Sequence, residues 1–310
     1  MFLSAQKREI SILIKNKNKI KNHYFIFPQN YKMLKLEYTD VYYGKCRVWS
    51  TNPTVRPHLE ALIKAPKFIH WFNNCQFGLQ SLQITDIDIF GSSVAFYKGK
   101  AEAYDEKGGI IHSNIFFNRG GSTAILFIVK TLINGVEETL VPVAEQVRLP
   151  VGKRLCELPA GMKDGETGQV KGPIIREIRE EIPIGDLAEN DPRIFSLGAP
   201  IIPSGGGCDE AIDLWCMEID ISHEKYLELI SDTFGNKQEH EEIKIKFLRY
   251  EDLLQEAPRL EDAKLLSALY RYECLLKRRN YYENAIVQSS KLLMFATIVL
   301  ILTLCFVYYM

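Results

Sequence analysis

Between Ser81 and Arg148 apolar and polar residues alternate with a period of two. The segments SLQITDIDIF, VAFYKGKAEAY, IIHSNIFF, TAILFIVKTL and TLVPVAEQVRL are separated by GSS, DEKGG, NRGGS and NGVEE. Period two predicts strands with one side chain in two facing a core, and the Gly and Asn residues in the gaps supply turns. Ahead of this block, Asn52 to Asn74 reads as helical text punctuated by proline. Behind it come a helix over Gly172 to Ile182, the strand AIDLWCMEIDI, a helix around Glu224 to Ser231, the strand IKIKFLRY and an amphipathic helix over about Leu260 to Lys277. Interleaved strands and helices without an internal repeat predict an α/β or α+β chain rather than a bundle.

The ends differ from the middle. Residues 292–310 read LLMFATIVLILTLCFVYYM, an uncharged run behind Lys291 that ends in Tyr308, Tyr309 and Met310. At about 1.5 Å per helical residue it is long enough for a hydrocarbon core of about 30 Å. It is expected to be a transmembrane tail anchor, with the rest of the chain cytosolic and Lys277, Arg278 and Arg279 on the same side. Endoplasmic reticulum and mitochondrial outer membrane both stay open. The first 32 residues carry Lys7, Arg8, Lys15, Lys17, Lys19, Lys21 and Lys32 against Glu9 alone. They read as a disordered basic tail or an upstream extension; ISILI is too short for a secretory segment, and the lysines fit a mitochondrial presequence poorly.

Composition adds exclusions. Of 310 residues 46% are hydrophobic and 25% charged, an ordinary globular balance, and a formal net charge of -1 gives no electrostatic case for nucleic acid. The seven cysteines are irregularly spaced without a C-x-x-C pair, so neither a disulfide framework nor a zinc site is expected. The glycines of Ser204 to Cys208 are followed by no lysine and helix start, so they are no phosphate loop.

The candidate chemistry lies in Pro173 to Ile184, PIIREIREEIPI. Pro173 suits a first helical turn and Pro183 a stop. Ile174, Ile175, Ile178 and Ile182 form the buried stripe. Glu177 and Glu181 share the opposite face one turn apart, Glu180 beside them, with Arg176 placed to pair with Glu180. Stacked carboxylates repel one another, and a hard divalent cation turns that repulsion into affinity. Taken alone, the run reads better as a solvated charged helix face with one salt bridge, since Glu- and Arg-rich helices are common.

Just before it stands LPAGMKDGETGQVKG, and together the two runs resemble the Nudix box, G(x)5E(x)7REUxEExGU with U aliphatic. Gly161 matches the first glycine; Arg176, Glu177, Ile178, Glu180, Glu181 and Ile184 match REUxEE and the closing aliphatic. Gly161 to Arg176 is one residue longer than the pattern. The loop glutamate falls on Thr167 or Gly168, with Glu166 nearby, and Pro183 replaces the last glycine. LPAGM, PSGGGCDEAIDL, EQVRLPVGK and DAKLLSALY extend the resemblance, over about Pro66 to Glu273, to the ADP-sugar and ADP-ribose pyrophosphatase branch, the plant-type ADP-sugar diphosphatases above all.

The resemblance implies an α/β fold: a Nudix α/β/α sandwich with a mixed sheet, preceded by a small antiparallel β domain, with the C-terminal transmembrane helix beyond. The expected divisions are a basic extension (1–50), a helical and β domain of the dimerisation type (51–135), the Nudix domain (136–278), a linker (279–291) and the anchor (292–310). It implies hydrolysis of the diphosphate bond of a nucleoside diphosphate sugar with Mg²⁺, or Mn²⁺, in a homodimer. Glu177, Glu180, Glu181, Glu241 and the carbonyl of Ala160 would hold the metal. Glu239 would be the base, with Glu180 and Glu181 also in the catalytic set; Arg148 would contact the diphosphate, and Glu210 the substrate. ADP-ribose, another nucleotide substrate, or an inactive membrane-tethered nucleotide-binding module are the alternatives; the retained glutamates argue against the last.

Overall fold

The computed structural model describes residues 21–24, 35–111, 114–163, 182–184, 191–234 and 243–309. The chain forms two compact units, Met1–Gly120 with Ser204–Glu210, and Gly121–Pro203 with Ala211–Met310.

In the first unit, β1 (Lys21–Tyr24), β2 (Lys35–Tyr43), β3 (Cys46–Ser50), β4 (Gly78–Phe90), β5 (Ser93–Tyr104) and β6 (Ile115–Asn118) make a sheet in that order among the described residues. The Pro-punctuated text becomes a 3-10 turn, α1 (Leu59–Leu62) and α2 (Pro66–Asn74), the last with Pro66 in its first turn. This helical crossover carries the chain from β3 to β4, which therefore pair parallel. The small β domain is thus antiparallel except at that pair. Leu59, Leu62 and Phe68 pack onto Val48, Leu82, Ile84 and Tyr97 to close its core.

The second unit is built on β7 (Ser122–Ile133), whose first eight residues are all buried. A strand buried on both faces needs a continuous apolar run, and TAILFIV supplies it. Ala124, Leu126 and Ile128 face one core; Ile125, Phe127 and Val129 face the other. Each such Leu, Ile or Phe contributes about 1.5–3 kcal/mol by leaving water. The hairpin to β8 (Val136–Arg148) turns on Asn134 and Gly135, both at positive φ, the requirement of a tight Asn-Gly turn. Next come β9 (Lys153–Glu157), β10 (Ala160–Met162), β11 (Ile194–Ser196), β12 (Ile212–Asp220), β13 (Thr233–Phe234) and β14 (Ile243–Arg249). The mixed sheet runs β11-β12-β7-β8-β14-β13, with β12 parallel to β7, β9 on β8 and β10 on β7. The described helices of this unit are α3 (His223–Ser231), capped by the Ser222 hydroxyl and expected from the sequence, α4 (Tyr250–Gln255), which was not expected, and α5 (Ala263–Tyr309), which runs beyond the expected end near Lys277. Leu229 of α3 joins one core; Leu265, Ala268, Leu269 and Tyr272 of α5 join the other. Residues 172–181, where the glutamate helix is expected, lie outside the described residues.

The C-terminal helix corrects the sequence reading. Among the described residues no helix is long and apolar enough to cross a membrane. Residues 292–309 are the end of α5, one helix of 47 residues that carries charged residues from Lys264 to Lys291. Its earlier turns dock on the second unit: Arg279 pairs with Glu218 at 2.8 Å and lies over the Phe195 ring, away from any role as a flanking charge at a bilayer. The transmembrane helix, the anchored localisation and the membrane as a partner are therefore withdrawn.

Candidate active site

Arg148 closes β8. A 3-10 turn, Leu149–Val151, and Gly152 in the left-handed region at φ 74° then reverse the chain into β9. The returning strand ends on Glu157, which is only 3% exposed. A buried carboxylate is costly unless paired. Glu157 has two cationic partners: Arg148 donates to its Oε1 through Nε, and Lys264 Nζ lies 2.7 Å from its Oε2. Burial pushes the Glu157 carboxyl up, but the hydrogen bond from Arg148 and the Lys264 charge outweigh it and hold the group below its ordinary value. Burial likewise works to lower Lys264, whose side chain is 14% exposed, and the carboxylates of Asp262 and Glu157 reverse that and raise it.

Asp262 is the fourth member. It precedes α5 and caps it, accepting from Leu265 N at 3.3 Å and Lys264 N at 3.1 Å, while Lys264 Nζ stands 3.1 Å from its Oδ1. Its Oδ2 also accepts from Leu158 N at 2.9 Å. The next residue is fixed as well, Pro159 O receiving Ile125 N at 3.1 Å. The backbone leading into Ala160 is therefore held from both sides, and Ala160 itself pairs with Ala124 of β7. Three residues further, Lys163 forms an ion pair with Asp213 of β12.

Arg148 and Ala160 are thus joined through Glu157, Leu158 and Asp262. Glu210 belongs to the first unit, 9% exposed, with Arg119 Nη1 at 3.3 Å. Its neighbour Asp209 accepts from Asn118 Nδ2 at 2.7 Å, Arg119 N at 2.7 Å and Gly120 N at 3.0 Å. The glycine loop before it closes on itself, Gly207 N and Cys208 N both donating to Ser204 O, and then pairs with Phe117 beyond it. The segment is a folded turn.

Glu177, Glu180, Glu181, Glu239 and Glu241 lie outside the described residues. Among the described residues no group of three or more His, Cys, Asp or Glu could hold a metal. The donors expected there, carboxylates and a backbone carbonyl, are the hard oxygen set that Mg²⁺ takes.

Sequence reasoning missed Glu157, Lys264 and Asp262. The signals were present: a glutamate directly ahead of LPAG, and an Asp-x-Lys at a helix start, the N-cap pattern.

No family model matches the chain. It is similar to Nudix hydrolase 14, chloroplastic, of Arabidopsis thaliana, with 34% identity over 200 residues. The match covers 63% of this chain, and this chain spans 62% of the length of that protein. A solved structure described as an ADP compounds hydrolase aligns with a TM-score of 0.39 and 12% identity, over 65% of this chain and 97% of that one, a likeness too slight to argue from. Over about 63% of its length the chain is thus similar to a protein of the Nudix hydrolase family, the family that the motif in its sequence resembles.

Proposed function

We propose that the protein hydrolyses the P–O–P bond of nucleoside diphosphate sugars of the ADP-sugar type, giving a nucleoside monophosphate and a sugar phosphate. The observation that carries this reading is Arg148 seated on buried Glu157 at the entry to LPAG, directly ahead of the glutamate-rich box. The planar guanidinium of an arginine matches the geometry of phosphate oxygens, which suits Arg148 to a diphosphate.

In this reading Glu177, Glu180, Glu181, Glu241 and the Ala160 carbonyl hold Mg²⁺, which when bound offsets phosphate charge and acidifies a water. Arg148 binds the diphosphate and keeps it oriented. Glu239 accepts the proton of the attacking water, and Glu210 contacts the substrate.

The test is phosphate release from ADP-glucose and ADP-ribose with a coupled phosphatase, with Mg²⁺ and with EDTA. Release in Mg²⁺ that EDTA abolishes is expected, and Glu181→Gln should cut it by orders of magnitude. Unaltered turnover in Glu181→Gln would remove the glutamate helix from the chemistry. Preference for ADP-ribose over ADP-glucose would move the substrate within the same reaction class.

A further inference from the structure

Glu157 sits at a junction. On one side it holds Arg148; on the other it meets Lys264, which reaches it from the first turn of α5, 107 residues along the chain. Lys264 also contacts Asp262, and Asp262 ties the same helix start to Leu158 N, two residues before Ala160. Lysine, two carboxylates and arginine form one linked set, three of them largely withdrawn from water. Burying this much charge stabilises a fold little by itself, since a well-packed apolar cluster of equal volume commonly does as well or better. What such a set does supply is a fixed geometry, because each member has its partners' positions dictated.

We infer that Lys264, through Glu157, is a positioning residue for Arg148: the Glu157–Lys264–Asp262 cluster holds the guanidinium in the orientation that receives the substrate diphosphate and keeps it in register with the backbone entering Ala160. This rests on the role proposed for Arg148. Lys264 does not touch substrate. It neutralises Glu157 from the buried side, so that the carboxylate stays charged and in place with its other oxygen turned to Arg148. Without it, Glu157 keeps a partner only at its outer edge, and the arginine gains freedom that binding must then remove.

The experiment is a double-mutant cycle on the full chain. Affinity for α,β-methylene-ADP, a diphosphate that cannot be hydrolysed, is measured by calorimetry for the wild type, Arg148→Ala, Lys264→Met and the double variant. KM and kcat are followed with ADP-glucose. Lys264→Met is expected to weaken analogue binding about tenfold. It should raise KM by a similar factor while kcat falls less, and do nothing further in the Arg148→Ala background. Glu157→Gln, which keeps the shape of the site, should reproduce the loss and decides the matter if Lys264→Met does not fold. Equal losses with and without Arg148 would overturn the inference and leave the cluster as packing only. So would wild-type affinity in Lys264→Met or, if that protein does not fold, in Glu157→Gln. An Arg148→Ala protein that binds the analogue as the wild type does would overturn the proposed role of Arg148 itself, and the inference with it; the two failures are read from different arms.

Discussion

Replacing Glu157 by glutamine tests the buried cluster as a matter of stability. The substitution keeps volume but removes the one negative charge shared by Arg148 and Lys264 and replaces one of its two acceptor oxygens with a donor amide. Breaking a fully buried pair costs about 3–5 kcal/mol. Two facts lower the figure. Arg148 is 36% exposed, so water screens it once released, and Lys264 keeps Asp262 at 3.1 Å. The expected cost is therefore about 2 kcal/mol at pH 7. Its pH dependence carries a sign. The folded state holds the Glu157 carboxyl below its ordinary 4.5. The group's contribution is thus fully present above pH 4.5 and lost as pH falls through the lowered value. The glutamine variant has no such titration. Urea unfolding followed by circular dichroism should show a gap between the two proteins that is constant from pH 7 down to about 5 and narrows below 4.5. A gap under about 0.5 kcal/mol at pH 7, or one unchanged at pH 3.5, would refute the reasoning.

Three further outcomes are expected. Asp209→Ala deprives Asn118 Nδ2, Arg119 N and Gly120 N of their acceptor, and should cost about 2–3 kcal/mol and speed amide exchange at Arg119 and Gly120; unaltered exchange would show that other groups satisfy these donors. Gly99→Ala would set a Cβ 2.5 Å from Gln83 O and 2.8 Å from Phe116 Cζ, so a lower melting temperature, about 1–3 kcal/mol in free energy, is expected, and an unchanged one would mean that β4 and β6 can part there. Glu239→Gln should lower kcat more than it raises KM if that residue is the base; if Glu241→Gln instead keeps metal binding and loses turnover, the two roles are exchanged.

What the sequence made legible was whatever depends on near neighbours in the chain. The continuous apolar run of β7, the Asn-Gly turn after it, the proline at the start of α2 and the cap of α3 are local decisions. The strands β2 and β3 were not read, since their inward residues Val41, Cys46 and Val48 sit among tyrosines, charges and a Gly-Lys turn that mask the alternation. The last helix was read as ending near Lys277. Nothing in its sequence stops it, for neither Gly nor Pro occurs between Ala263 and Met310, and one helix runs on through the run taken for a membrane span. Arg148 and Ala160 were identified from a motif, and the structure added what ties them together. That part was illegible because a glutamate in a strand says nothing of its burial, and the lysine that makes burial tolerable stands 107 residues away.

The short return of Ser204–Glu210 to the first unit bears on how the chain can be made. A nascent chain that has just released Gly120 carries every described strand of that unit, yet Asp209, the acceptor for Gly120 N as well as Asn118 Nδ2, is 89 residues from being synthesised. At roughly 5–20 residues per second that is a wait on the order of ten seconds, during which the edge at Phe117 to Gly120 stays unfinished. A protein cut after Gly120 would keep that unfinished edge permanently. The natural fragment for studying the first unit is therefore not a contiguous piece of gene but one with the 204–210 segment grafted after Gly120 through a short linker.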